Sequence, residues 1–316
     1  MITARIDAIT AIPAAALRVD APIPRSVKIE LCGRCNYRCG FCAIRAREAQ
    51  PTTDMEWSLF ARITREMVEA GVEEIGLFYL GEPFLAPDLL TRAVRYLKTD
   101  LGVPYVFVTT NGSLATPARV RAVMAAGLDS LKFSINAADD PQFADVMQVS
   151  PRLYARALEH LREARAMRDA EGFACRLYAS SIRYDGDQQT RMEALLEAQV
   201  LPYVDQHYWL PLYSMGSVAT AREAELGYRP IAGNQGRIGA LREPLPCWSV
   251  FTEGHVTSRG HLSACCFDAD DRFSMADLTV QPFAEAWASP AFQALRAAHL
   301  RRDVSDTICA SCVAYQ

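Results

Sequence analysis

Between residues 27 and 216 the sequence alternates six short apolar runs with longer amphipathic segments. This alternation predicts βα units around a parallel sheet, because a parallel strand reaches its neighbour through a crossover helix. The runs expected to form strands are VKIEL, EEIGLFYL, YVFVTT, SLKFSI, CRLYASSI and QHYWLPLY. A capping box at Thr53–Glu56 predicts a helix start, and Gly71 and Gly127 stand where two helices should end.

Six such units are too few for a closed eight-stranded barrel, so the predicted fold is α/β, an open (β/α)6 partial barrel over residues 25–216. Ligand-binding groups should gather at the C-terminal ends of its strands, where the loops emerge. An N-terminal extension is expected at 1–24, a linker at 217–246 and a small cysteine-rich domain at 247–316. Within the last region, SVFTEGHVTSRGHLSACC predicts a β-hairpin.

Composition narrows the classes of partner. Half of the 316 residues are apolar, the formal charge is -4, and no basic stripe appears. Proteins held to nucleic acids by phosphate contacts usually show such a stripe, so we expect no nucleic-acid partner. The apolar stretch AITAIPAAAL near the N-terminus is far too short to span a bilayer, and we expect no membrane partner.

The ten cysteines are distributed unevenly along the chain. Nine of them fall into two groups, at positions 32, 35, 39 and 42 and at positions 247, 265, 266, 309 and 312, while Cys175 stands alone. Clustered thiols in a chain without a convincing export signal indicate metal ligands in a reducing compartment. A cytoplasmic location is therefore predicted.

Cys35, Cys39 and Cys42 follow the first predicted strand with the spacing CxxxCxxC. Three thiolates leave one iron of a four-iron cluster without a protein ligand, whereas a structural zinc site needs four ligands. A zinc loop that borrows Cys32 is the alternative left open by the local sequence. The spacing resembles the signature of the radical S-adenosylmethionine (SAM) superfamily. The resemblance implies a [4Fe–4S] cluster whose open iron binds SAM, reductive cleavage to a 5'-deoxyadenosyl radical, and abstraction of a substrate hydrogen atom.

Short elements at the next three strand ends extend this resemblance. They are YLGEPF, TTNG and SINA, at the ends of the second, third and fourth strands. The resemblance implies SAM contacts from Phe41, Gly81, Glu82, Asn111, Ser134 and Asn136, and makes Cys32 a packed thiol. Each element alone is weak, since Glu82 could cap a helix and Asn111-Gly112 is also an ordinary turn dipeptide.

The second group of cysteines supplies four thiolates, from Cys247, Cys265, Cys309 and Cys312. They could enclose one cluster or one zinc ion, so a zinc ribbon is the alternative. The order CxnGx4C, a helix with Trp287 and CxxC resembles the auxiliary-cluster domain SPASM or its shortened form, Twitch. The chain ends before further cysteines, which implies the Twitch form with one auxiliary [4Fe–4S] cluster. The spacing from Gly260 favours Cys265 over Cys266 as the ligand.

The resemblance to Twitch dehydrogenases implies oxidation of a small polyol, aminocyclitol-like or other biosynthetic substrate, with the auxiliary cluster as electron acceptor and a flavodoxin- or ferredoxin-type electron donor. The rival is a maturase of a ribosomally made peptide, acting by epimerisation, thioether formation or carbon–carbon crosslinking. About two dozen residues precede the first strand, too few for the leader-binding domain of many maturases. A zinc-stabilised binding module is a third, non-enzymatic alternative.

The predicted substrate contacts lie at the ends of the fifth and sixth strands, where Arg183, His207 and Tyr213 are the candidate catalytic residues. Arg183 closes an apolar strand and could hold an anionic or hydroxylated group. A lone histidine at a strand end, in contrast, more often packs in the core.

Overall fold

The computed structural model describes residues 1–47, 49–215 and 230–312. Its strands are β1 Ser26–Ile29, β2 Glu74–Gly76, β3 Tyr105–Thr110, β4 Ser130–Ser134, β5 Arg176–Ile182, β6 Gln206–Leu210, β7 Glu253–Val256, β8 His261–Ser263 and β9 Ser274–Asp277. Its α-helices are α1 Ile2–Thr10, α2 Trp57–Ala70, α3 Pro87–Arg95, α4 Pro117–Ala125, α5 Asp140–Met147, α6 Arg152–Glu171, α7 Gly186–Gln199, α8 Ser249–Thr252, α9 Phe283–Trp287 and α10 Pro290–Arg301. No helix within these described ranges is both long enough and apolar enough to cross a membrane.

Strands β1 to β6 are parallel and lie side by side in chain order, which confirms the predicted (β/α)6 partial barrel. The capping box is wrong, because α2 begins at Trp57 and no side chain caps it. Gly71 does end α2, with a left-handed φ of 104°. Strand β2 is shorter than predicted, and beyond it the backbone N–H groups of Leu80 and Gly81 donate to the carboxylate of Glu30.

The C-terminal region extends the sheet of the barrel. Strand β7 pairs in parallel with β1. Strand β8 pairs antiparallel with β7 on one side and with β9 on the other. The predicted hairpin is confirmed, with Gly260 in its turn at a φ of 89°. In the cysteine-rich region, β7 pairs with the edge of β1, whose backbone groups would otherwise lack partners. The predicted domain boundaries stay a prediction, and residues 217–229 of the expected linker lie outside the described residues.

Helix α1 lies across the barrel at the N-terminal ends of its strands. Ile2 packs against Tyr178 and Tyr208. The Arg5 guanidinium pairs with the carboxylate of Glu74, the first residue of β2, at 2.8 Å. The segment predicted only as an extension therefore forms the floor of the barrel.

Candidate active site

The loop after β1 carries the three cysteines of the CxxxCxxC motif. Cys35, Cys39 and Cys42 all line one cavity of about 170 Å³. Backbone bonds from Arg38 and Gly40 to the end of α5 hold the loop over the mouth of the barrel, at 3.1 and 2.8 Å. Burial raises the pKa of Cys35 to about 12, so binding of this thiolate to a metal would release a proton.

The residues assigned to SAM surround the same cavity. Its walls include Phe41, Gly81, Glu82, Asn111, Ser134 and Asn136. Glu82 is 2% exposed, and its carboxylate accepts hydrogen bonds from the backbone of Phe84 and Asn111 and from the hydroxyl of Thr110, at 2.8 to 3.0 Å. It therefore caps a helical turn, as the alternative explanation had it, yet an ionised carboxylate has about four acceptor positions. One remains for a donor in the cavity.

Gly81 allows the loop after β2 to pack closely against the cysteine loop after β1. A Cβ added at Gly81 would lie 1.9 Å from the carbonyl oxygen of Cys32, so no larger residue fits without moving the cysteine loop. The next N–H, that of Glu82, donates to the carbonyl of Arg34 at 2.8 Å. Cys32 itself is 2% exposed and does not line this cavity.

Glu30 is a central residue that the sequence did not single out. It is 1% exposed and accepts hydrogen bonds from the N–H groups of Leu80 and Gly81, from the guanidinium of Arg47 and from Ser258. Arg47 also donates to the backbone carbonyls of Ala269 and Gly33. Glu30 thus joins the end of β1 to three other segments. They are the loop that contains Gly81 and Glu82 (the Gly-Glu loop), the cysteine loop and the C-terminal hairpin. The available signal was an acid within the apolar run VKIEL.

A second cavity, which we call the central cavity, occupies the interior of the barrel. It has a volume of about 340 Å³ and reaches from α1 to the cysteine loop. The two cavities share Phe41, Cys42, Phe78, Tyr79, Leu80, Thr109, Ser134 and Asn136. A molecule in the central cavity would therefore lie directly beside one in the first cavity.

The four predicted auxiliary ligands come from different parts of the fold and meet near the end of β8. Burial, then the charges of Cys247 and Cys312, raises the pKa of Cys309 to about 12. The hydrogen bond with Cys266, burial and the thiolates of Cys266 and Cys247 raise the pKa of Cys265 well above its usual range. Cys265 thus interacts with Cys247, whereas Cys266 lines the central cavity.

Tyr79, also absent from the sequence predictions, connects the two cysteine regions. Its buried hydroxyl donates to the carbonyl of Cys265 and accepts from the N–H of Asp268, the latter at 3.1 Å. Tyr79 lines both cavities. It therefore ties the Gly-Glu loop to the second cysteine group.

The candidate catalytic residues separate in space. Tyr213 lines the central cavity, and its hydroxyl donates to the carbonyl of Gly236 at 2.6 Å. Arg183 is exposed and lines neither cavity. His207 bonds the hydroxyl of Ser181 at 3.0 Å, and burial lowers its pKa to about 4. Because alternate residues of a strand face opposite sides and Tyr208 lines the cavity, His207 faces away from it.

The donor set fits iron–sulfur chemistry. Three thiols stand beside a buried carboxylate at the first site, and four thiols converge at the second. Among the described residues, no three His, Cys, Asp or Glu side chains are placed to surround one metal ion. Thiolates of a four-iron cluster each bind a different iron, so they are spaced more widely than the ligands of a single ion.

Comparison with known families identifies the class. Residues 29–198 match the radical SAM superfamily, and this chain belongs to it. Residues 247–313 match SPASM, an iron–sulfur cluster-binding domain, so the chain is a radical SAM enzyme of the SPASM subgroup. Its cofactors are a [4Fe–4S] cluster with an open iron site, SAM and an auxiliary [4Fe–4S] cluster.

Solved structures with the same fold include two enzymes of different kinds. BtrN, determined with AdoMet and 2-DOIA, superimposes with a TM-score of 0.62 at 13% identity, over 93% of this chain and 94% of BtrN. SuiB from Streptococcus suis, determined with the precursor peptide SuiA, gives a TM-score of 0.64 at 15% identity, over 88% of this chain and 68% of SuiB. At these identities the likeness concerns the fold.

Two curated proteins are similar to this chain in sequence. A GTP 3',8-cyclase of Synechococcus elongatus is 25% identical over 268 residues, 77% of this chain and 80% of that protein. A SAM-dependent nucleotide dehydratase, RSAD2 of Oncorhynchus mykiss, is 36% identical over 95 residues, 29% of this chain and 26% of that protein. The residues of the site therefore determine which substrate this chain binds.

Proposed function

We propose that this enzyme is a dehydrogenase that oxidises a small biosynthetic substrate in the central cavity. One observation carries the proposal: the same cavity is lined by Cys42 of the first cysteine group and by Cys266, the neighbour of Cys265 in the second. A substrate there would lie between the two iron–sulfur sites. One face of it would meet the SAM cavity and the other the auxiliary domain.

Cys35, Cys39 and Cys42 would hold the first cluster, and Cys247, Cys265, Cys309 and Cys312 the auxiliary one. With SAM bound, the first cluster would supply hydrogen-atom abstraction on one side of the substrate, and the auxiliary cluster would supply one-electron acceptance on the other. The oxidised product lacks two hydrogens: one leaves as an atom, and the other as an electron and a proton.

The residues of the chain enclose and orient the substrate. Helix α1 closes the floor of the barrel, where Ile2, Ile6 and Ile9 line the cavity. Tyr213 and Phe267, with ring centroids 5.4 Å apart, form the wall next to Cys266. These apolar and aromatic side chains would shield a radical in the cavity from side reactions.

The proposal includes two features of the cellular setting. A flavodoxin- or ferredoxin-type protein would deliver the electron that initiates each cleavage of SAM. Ten free cysteines in the chain suit the reducing cytoplasm, where thiols and clusters persist.

The mass difference between substrate and product tests the proposal, because dehydrogenation removes two hydrogens. Anaerobically reconstituted enzyme with SAM and reductant is incubated with candidate polyols and aminocyclitols and with carboxylated or phosphorylated polyols, in ordinary and in heavy water, and products are weighed by mass spectrometry. We expect a product two hydrogens lighter than its substrate, with no solvent deuterium at the attacked carbon. Product of unchanged mass in ordinary water that gains deuterium in heavy water would contradict dehydrogenation.

A paired variant tests the electron acceptor. Cys309→Ala with Cys312→Ala should spare 5'-deoxyadenosine formation and abolish the oxidised product. The matched control is Cys175→Ala, since Cys175 is buried far from both groups in sequence and lines neither cavity. It should retain both activities. Oxidised product from the paired variant at the wild-type rate would show that the electron goes elsewhere.

The second candidate is a maturase of a ribosomally made peptide. Two observations favour it: the fold likeness to SuiB, and the Cys266 thiol on the cavity wall, where a redox-neutral epimerase would need a hydrogen-atom donor. In that case Cys266→Ala should stop turnover after radical formation. The heavy-water experiment separates this candidate from the dehydrogenase.

A further inference from the structure

Lysine is rare in this chain and concentrated inside the barrel. Of 33 basic residues only three are lysines, at positions 28, 98 and 132, and all the others are arginines. Lys28 on β1 and Lys132 on β4 both line the central cavity. The lysine ammonium is a compact, strongly hydrated point charge on a flexible stem, so its burial in a cavity wall calls for a partner.

Lys132 differs from the other cations of the cavity wall in its partners. The others each pair with a carboxylate: Arg5 with Glu74 at 2.8 Å, Lys28 with Glu253 at 2.6 Å and Arg237 with Asp7 at 2.6 Å. The Lys132 ammonium has the hydroxyl of Tyr208 at 3.2 Å, and no carboxylate pairs with it in the described part of the chain. Among the described residues, the wall therefore contains one amine without a carboxylate partner.

This placement is costly without a ligand. A buried ammonium that lacks an opposite charge loses hydration energy and recovers little of it from a neutral hydroxyl. Burial, followed by repulsion from Lys28, lowers the pKa of Lys132 to about 7. A methionine would fill the same space without this cost. An anion beside the ammonium would favour the charged form again, because an opposite charge offsets the lost hydration.

We propose that Lys132 binds an anionic group of the substrate, a carboxylate or a phosphate, in the central cavity. The inference rests on the proposed function only in taking this cavity as the substrate site. Ser134, two residues further along β4, lines both cavities and lies about 7 Å from Lys132 along the strand. The anionic group would thus bind deeper in the barrel than the carbon that is attacked.

The charge pattern also disfavours one class of substrate. A cationic aminocyclitol amine beside Lys132 and Lys28 would meet two positive charges, of which only that of Lys28 has a carboxylate partner. A neutral polyol would leave Lys132 unpaired. An acidic sugar, a phosphorylated polyol or an acidic side chain would place an anion beside Lys132. The anion is the feature that these substrates share.

The small number of lysines makes the proposal directly measurable. Holoenzyme labelled with ¹³C-lysine gives one ε-carbon signal for each of the three lysines, assigned by Lys98→Gln and Lys132→Gln. With SAM bound, it is titrated separately with inorganic phosphate, acetate and succinate. We expect a saturable shift of the Lys132 signal with phosphate or a carboxylate, and the signal of Lys98 should not move. The more effective probe identifies the anion.

Calorimetry with the same probes supplies the second readout. A lost charge-assisted hydrogen bond should weaken binding about ten- to a hundredfold in Lys132→Gln and in the shape-conserving Lys132→Met. Lys98→Gln, outside the cavity, should bind as wild type does. A Lys132 signal unmoved by all three anions, or unchanged affinity in both Lys132 variants, would overturn the proposal. Absence of dehydrogenation would refute the proposed function but leave these titrations intact.

Discussion

The hydroxyl of Ser258 donates a hydrogen bond to the carboxylate of Glu30 at 3.0 Å, joining residues 228 positions apart. Ser258 lies in the turn of the C-terminal hairpin, and Glu30 follows β1 directly. The same carboxylate bonds the guanidinium of Arg47 from the cysteine loop at 3.2 Å. One buried acid therefore positions the first cysteine group relative to the auxiliary domain.

Replacing Glu30 should destabilise the fold. Glu30→Ala leaves Arg47 buried without its carboxylate, and breaking a buried pair this way costs about 3–5 kcal/mol. Denaturant unfolding of the holoenzyme, followed by circular dichroism, measures the loss. The matched control is Glu73→Ala. Both side chains of the ion pair between Glu73 and Arg25 are exposed, so this pair should contribute under about 1 kcal/mol to stability. Equal losses in the two variants would contradict the central role of Glu30.

The first cluster should need three thiols and no fourth. Single Cys35→Ala, Cys39→Ala and Cys42→Ala variants should lose reductive cleavage of SAM, because each thiolate binds a separate iron. Cys32→Ala should retain it, since Cys32 is buried and lies outside the cavity wall. The measurement is 5'-deoxyadenosine formed with dithionite as reductant. Full cleavage in Cys39→Ala would refute the ligand set.

Iron content should distinguish the two adjacent cysteines of the auxiliary site. Wild-type protein should hold about eight iron atoms, as two four-iron clusters. Cys265→Ala should lose about half of them, whereas Cys266→Ala, whose side chain faces the cavity, should keep them all. Iron and zinc are measured together by mass spectrometry. Retention of all the iron by Cys265→Ala, or zinc at the second site, would reject the assignment.

Lys132 should make stability depend on pH. Its pKa of about 7 in the fold lies below the value of about 10.4 in an unfolded chain. Between these values the unfolded state binds more protons, so stability rises with pH across that window, and the full penalty is present below pH 7. The groups facing Lys132 are the hydroxyl of Tyr208, whose pKa burial raises to about 12, and Lys28 with its partner Glu253.

Melting temperatures of wild type and Lys132→Met, measured from about pH 7 to 10, check this dependence. The variant should be more stable near pH 7 and should lack the rise attributed to Lys132. Lys98→Met should keep the rise, because Lys98 lies outside the cavity. Parallel profiles in wild type and Lys132→Met would contradict the prediction.

Much of the fold, and the gathering of the motif residues around one cavity, could be predicted from local sequence. The alternation of apolar runs and amphipathic helices determined six parallel strands in chain order, because the apolar side chains of each run are buried in the sheet. The motif residues then gathered in one cavity, because the C-terminal ends of parallel strands share one edge of the sheet. Phe41, Glu82 and Asn136 met there although they lie far apart in the chain.

Other features were decided only by tertiary structure. Which strand-end side chains face the cavity depends on register, and this separated Tyr213 from His207 and Arg183. The roles of Glu30 and Lys132 depend on partners, or on missing partners, contributed by distant segments. Periodicity and spacing describe how a segment folds against a generic apolar interior. They carry no information on which charge from another strand arrives beside it, and that pairing determines what the cavity can bind.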